Sequence, residues 1–127
     1  MAFTVLLVDD NPVQAATRNA ILTNSGHKVF VAASAINALA LLEDLELAGN
    51  LKLVITDHLM PQMNGRQFVV KLRQRFPTLP VLVLSGLPDA EAEYVGMNIL
   101  YRPKPIAPEE LIRLTQSLCE NKLGRTA

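Results

Sequence analysis

The sequence predicts a doubly wound α/β domain, a parallel sheet of five strands covered by helices. Three observations predict it. Apolar runs of strand length recur five times within 127 residues, at 3–8, 29–33, 51–55, 81–84 and 99–101. The first, third and fourth are rich in Val and Leu, as in strands buried on both faces. Between the runs, apolar residues repeat at helical spacing, so strand and helix alternate five times and the crossovers must be right-handed.

Each element has a local reason to form. Asn11 can cap a helix opened by Pro12, whose fixed φ and missing N–H suit a first turn, and Gly26 follows its end. Val13, Ala16 and Ala20 are expected on its inner face. Ser34 can cap the second helix, where Ala35, Leu39 and Leu42 recur while Glu43, Asp44 and Glu46 lie elsewhere on the surface. The third follows Gly65 and aligns Phe68, Leu72 and Phe76 at steps of four. A short fourth helix falls within 88–95, and the last begins after Pro108 and stacks Leu111, Leu114 and Leu118. These stripes are read as core and nothing else.

Composition narrows the function classes. Twelve Lys and Arg offset twelve Asp and Glu, so the net charge is zero. That removes the broad attraction that non-specific nucleic-acid or anionic-membrane binding needs. Neither direct nucleic-acid contact nor membrane insertion is expected, and the apolar run at 5–8 is too short for a signal-peptide core or a span. The one cysteine, Cys119, cannot form an internal disulfide; with only His27 and His58 beside it, no zinc site is expected, and it is read as a small buried hydrophobe. No repeat, low-complexity tract or linker appears. The expectation is a soluble, cytoplasmic protein whose residues 1–127 form one domain.

In an open parallel sheet, chemistry collects beyond the carboxyl ends of the strands. Asp9 and Asp10 follow the first run, Thr56 and Asp57 the third, Ser85 and Gly86 the fourth, and Arg102, Pro103, Lys104 and Pro105 the fifth. Three carboxylates, a hydroxyl and a lysine therefore converge on one rim. Carboxylates packed together repel unless a cation joins them, and a hard divalent ion with oxygen ligands fits that need. A lysine beside such a site points to an anionic ligand, most simply a phosphoryl group, and aspartate can itself be the nucleophile that accepts it.

Taken in order, Leu7-Val8-Asp9-Asp10-Asn11-Pro12, Thr56-Asp57 through Asn64-Gly65, Leu84-Ser85-Gly86 and Lys104-Pro105 resemble the response-regulator receiver domain of two-component signalling. The resemblance spans nearly the whole chain, and four pieces in series on the right strand ends are far more specific than any one of them. It implies a flavodoxin-like sheet of order 2-1-3-4-5. It implies that Asp57 is the phospho-acceptor, attacking the phosphorus of a phosphohistidine on a histidine kinase or histidine phosphotransfer protein. Mg²⁺, or Mn²⁺ in its place, would be held directly by Asp10, Asp57 and the backbone carbonyl of Leu59, and by Asp9 through a water. Lys104 would contact the phosphoryl oxygens, and Ser85 would hydrogen-bond to them after transfer. Tyr101 matches the aromatic whose rotamer reports phosphorylation. Such a domain assists its own phosphorylation and dephosphorylation, with no independent substrate turnover expected. It signals as a monomer or weak phosphorylation-dependent dimer to a downstream protein whose identity the sequence does not carry.

The chain departs from the family pattern in places. Gly86 stands where alanine is commoner, Asn64 replaces an aspartate in the turn before Gly65, and the stretch from Ser85 to Lys104 is short, which abbreviates the fourth helix on the usual output face. Leu59 and Leu87, two residues beyond Asp57 and Ser85, are apolar and cannot orient an attacking water, so a long-lived phosphorylated state is expected. His58 is read as a tolerated neighbour of the acceptor. A haloacid-dehalogenase-type phosphatase needs a second acid where Leu59 stands. A flavodoxin needs a hydroxyl-rich phosphate loop where Asp9 and Asp10 would repel the phosphate. An interaction module with lapsed phosphorylation is disfavoured by the intact acids, serine and lysine. With only 122–127 after the last helix and Met1 close before the first strand, no output domain is expected, and a stand-alone receiver is favoured over one excised from a hybrid sensor kinase.

Overall fold

The computed structural model describes residues 2–120. The tail at 122–127 and Met1, on which the expectation of a stand-alone receiver without an output domain rests, lie outside the described residues. Five strands, β1 (Thr4–Val8), β2 (Lys28–Ala32), β3 (Leu51–Asp57), β4 (Val81–Ser85) and β5 (Leu100–Pro103), form one parallel sheet in the order β2-β1-β3-β4-β5. Around it lie α1 (Pro12–Asn24), α2 (Ala35–Leu41), α3 (Leu45–Asn50), α4 (Gly65–Arg75), a 3-10 turn (Ala90–Tyr94) and α5 (Pro108–Cys119). The fold is the α/β arrangement with flavodoxin-like strand order that the sequence and its resemblance imply.

The pleat divides the core in two. Along β1, Leu6 and Val8 join Phe68 and Leu72 of α4 and Ala35 and Ala38 of α2, while Val5 and Leu7 join Leu22 of α1 and Leu111, Leu114 and Leu118 of α5. Alternate residues of one strand thus feed opposite cores, which is why the central strands have no polar face. Each Leu or Phe so buried contributes about 1.5–3 kcal/mol. Among the described residues no helix is long and apolar enough to cross a membrane.

Local signals place the element ends. Asn11 accepts hydrogen bonds from the N–H groups of Val13 and Gln14, and Gly26, at φ 96°, turns the chain out of α1 in a conformation only glycine adopts freely. Asn64 and Gln67 form a reciprocal capping box at the start of α4. Two sequence expectations are corrected. The second helix stops at Leu41, and Asp44, expected only on the surface, accepts from Glu46 and Leu47 N–H and starts a separate α3. The inner face of α1 is Ala15, Arg18 and Leu22; Val13 is 74% exposed, and Ala16 and Ala20 are exposed too. The true stripe lies two residues, about 200°, from the expected one. An arginine is what moves it.

Candidate functional site

The site is built where the central strands end. Asp9 continues β1 by donating its N–H to Ala32 O at 3.0 Å, and its Oδ1 accepts the Asn11 N–H at 2.9 Å. That fixes the carboxylate inward at 1% exposure, while Asp10, one residue on, faces solvent. Asp57 is the last residue of β3, paired with Leu84 of β4 and 2% exposed. The chain beyond it returns closely beneath: Gly65 N–H donates to His58 O at 2.7 Å. A Cβ on Gly65 would lie 2.5 Å from Tyr94 Oη, 2.7 Å from Asp57 O and 2.9 Å from His58 Cα, so this position accepts only glycine.

The carboxylate oxygens of Asp9, Asp10 and Asp57 lie within 4.8 Å of one another. Lys104 enters from the end of β5, its backbone N–H donating to Ser85 O at 2.8 Å and its Lys104–Pro105 peptide cis. Its Nζ lies 2.9 Å from Asp57 Oδ1 and 3.2 Å from Gln14 Oε1. A second cation stands on the other side. Arg18 Nη1 is 2.9 Å from Asp9 Oδ2 and 3.2 Å from Asp57 Oδ1, with the side chain only 10% exposed. Sequence reasoning missed it, although Arg18 is in phase with Ala15 and Leu22, so an arginine on the inward stripe was the available signal.

Burial pushes the Asp9 carboxyl up to about 7, helped by the neighbouring Asp57 carboxylate; the Asn11 N–H and the Arg18 guanidinium pull the other way. A crowded carboxylate group that is costly to leave ionised has the chemistry of a hard-cation site. Three oxygen donors that close fit Mg²⁺ or Mn²⁺, which take carboxylate ligands and keep several waters. Leu59 follows on the exposed loop with its side chain 61% exposed.

Across Asp57 hydrogen bonds to backbone and between side chains predominate. Ser85, 3% exposed, accepts the Leu87 N–H at 3.0 Å, and Tyr101, 8% exposed, donates its hydroxyl to Leu87 O at 2.9 Å. Both expected switch residues therefore hold Leu87, one at its N–H and one at its carbonyl. His58 is no mere neighbour: buried at 3%, its Nδ1 is hydrogen-bonded to Tyr94 Oη at 2.7 Å, and Nε2 lies 3.5 Å from Glu93. The Tyr94 ring in turn lies 6.1 Å from that of Tyr101, and burial holds its hydroxyl well above the usual phenol range. The short 88–95 segment is thus tied to the strand end by a His–Tyr pair. Cys119 is half-buried against the α1–α5 core, where burial raises its thiol to about 12.

A family model described as the response regulator receiver domain matches residues 5–116. A protein named as two-component response regulator ARR21, of Arabidopsis thaliana, is 33% identical over 96% of this chain. The match covers 20% of that protein and 21% of a second Arabidopsis response regulator, so the chain spans about a fifth of the length of these relatives. An uncharacterized 14.6 kDa protein of Leptolyngbya boryana is 36% identical over 91% of this chain and 88% of its own length. The crystal structure of chemotaxis protein CheY4 from Vibrio cholerae, 27% identical, superposes with a TM-score of 0.82 over 93% of this chain and 99% of that one.

Proposed function

The chain belongs to the response-regulator receiver domain family, and on that premise we propose that Asp57 accepts a phosphoryl group from a phosphohistidine of a histidine kinase or histidine phosphotransfer protein. One observation carries the reading: the buried carboxylate at the end of β3 has the Lys104 ammonium at 2.9 Å and two further carboxylates within 4.8 Å. An Asp57 oxygen attacks phosphorus, the P–N bond breaks, and its electron pair leaves with the imidazole, which takes up a proton. Lys104 neutralises charge gathering on the phosphoryl oxygens and, held by Gln14, needs no large movement to do so. Asp10, Asp57 and the Leu59 carbonyl would hold the divalent ion, with Asp9 acting through water. Its chemistry when bound is charge neutralisation on the oxygens between which the phosphoryl group passes.

The product adds a dianion beside Ser85. When the Ser85 hydroxyl turns to a phosphoryl oxygen, it releases the Leu87 N–H that it now accepts. Leu87 also carries the Tyr101 anchor, so the loop and the tyrosine are freed together, and Tyr101 repacks to present a changed face to a downstream protein. Leu59 and Leu87, 61% and 43% exposed, flank the acceptor without a group to orient water. The phosphorylated form is accordingly long-lived, and Leu59→Asn shortens its lifetime about tenfold by supplying such a group. Rapid phosphate loss that Leu59→Asn leaves unchanged would contradict this.

The test is intact-protein mass after incubation with acetyl phosphate and Mg²⁺, beside an Asp57→Asn control. One added phosphoryl group, dependent on metal and absent from the control, is expected. No adduct together with no Mg²⁺ binding would instead indicate an interaction module with lapsed phosphorylation.

A further inference from the structure

Resting on the reading of the acidic cluster as a metal-binding site, we infer that Arg18 is its built-in counter-ion, and that the guanidinium and a divalent ion displace one another from Asp9 and Asp57. A single nitrogen, Nη1, touches Asp9 Oδ2 at 2.9 Å and Asp57 Oδ1 at 3.2 Å. It therefore occupies one oxygen of each of two acids beside which a cation would sit. The contact is built rather than incidental. Arg18 stands one helical turn from Ala15 and Leu22 on the inward stripe of α1 and is nine-tenths buried, and among the described residues its ion pairs are with these two carboxylates alone. Lys104 does not duplicate it: its Nζ reaches Asp57 and Gln14 but has no pair with Asp9.

A divalent ion held by these same carboxylates would sit against a guanidinium of like charge, so one must leave. Arg18 has somewhere to go. It lines the open groove of about 480 Å³ between α1 and α5, beside Gln14, Thr17, Ile21 and Ile106. Swinging outward places its guanidinium on that face. Metal occupancy thereby alters the charge of the α1–α5 surface, and in the metal-free protein the guanidinium offsets the buried Asp9 and Asp57 carboxylates. The exchange also sets metal affinity, because every ion bound must displace a pair that is already made.

The test is Mn²⁺ binding to the full chain, followed by electron paramagnetic resonance of the free ion, for wild type, Arg18→Leu and Arg18→Lys. Arg18→Leu, which keeps an apolar filling of the stripe, should bind Mn²⁺ at least tenfold more tightly than wild type. Arg18→Lys, retaining a positive charge, should fall between. Equal or weaker binding by folded Arg18→Leu would overturn the exchange while leaving the metal site in place. No binding by any of the three would overturn the metal-site reading itself and the exchange with it. Should Arg18→Leu fail to fold, the wild type still decides. Its Arg18 side-chain Nε–H resonance, identified by its loss in Arg18→Lys, should shift in step with Mg²⁺ saturation of the Asp10 amide. A resonance that stays fixed while that amide titrates would overturn the proposal.

Discussion

Asp57 has two unlike flanks. Toward α1 and α5 its neighbours are ionisable: Asp9 after β1, Arg18 in the 13-residue α1 and Lys104 after β5, with ion pairs at 2.9–3.2 Å. Toward the 3-10 turn its neighbours are joined by hydrogen bonds: Ser85 and Tyr101 on the Leu87 backbone, His58 on Tyr94. Buried charge pairs are costly to break one-sidedly, about 3–5 kcal/mol, whereas a neutral hydrogen bond contributes about 1 kcal/mol net. The charged flank therefore changes only when another cation takes the place of Arg18, whereas the hydrogen bonds of the other flank can exchange at little cost. The 3-10 turn at 90–94 on that flank is only five residues long, held to the core by Ala90 and Tyr94.

The contrast yields graded expectations. Lys104→Ala removes the partly exposed cation from Asp57 and should slow phosphoryl uptake from acetyl phosphate about a hundredfold, by time-resolved intact mass, with the circular dichroism spectrum retained. Gly65→Ala strikes both flanks, because its Cβ meets backbone atoms of Asp57 and His58 and the Tyr94 hydroxyl; urea unfolding should show a loss of about 1–3 kcal/mol. On the hydrogen-bonded flank, Ser85→Ala and Tyr101→Phe each remove one hydrogen bond to Leu87 and should cost about 1 kcal/mol. Because both act on the same residue, Leu87, the double variant should depart measurably from the sum of the two, whereas additive losses would separate them.

The smallest effect belongs to a buried titrating group at the opposite end of the sheet. His27, 4% exposed, accepts the Phe3 N–H at Nδ1 and stacks on the Phe3 ring, and burial lowers its pKa from 6.5. A histidine depressed on folding stabilises fully above its unfolded pKa, and that contribution is lost as pH falls through 6.5 and below. Between pH 7.5 and 5.5, wild type should therefore lose more stability than His27→Gln, by less than about 1 kcal/mol in urea titrations.

Most of the fold was legible because each strand and cap has a local cause: Val- and Leu-rich runs, Asn11 with Pro12, Ser34, and Gly26 at positive φ. Asp9, Asp10, Asp57 and Lys104 were legible because a parallel sheet delivers whatever follows its strands to one rim. What stayed hidden depended on side chains overriding the usual sorting. Arg18 reads as a surface residue until the carboxylates that receive it are known, and assigning α1 by its small apolar residues turned the helix the wrong way. The His58–Tyr94 pair joins residues 36 apart through two elements whose approach no periodicity encodes. Asp44 was a cap disguised as surface charge, since the α3 turn it starts is only six residues long.

The assignment of Asp57 as acceptor is tested most directly by locating the acyl phosphate chemically. The protein is phosphorylated with acetyl phosphate and Mg²⁺, reduced with borohydride, which converts a phosphorylated aspartate to homoserine, and mapped by peptide mass spectrometry. Homoserine at position 57 alone is the predicted result. Homoserine at position 9 or 10, with Asp57 intact, would contradict it.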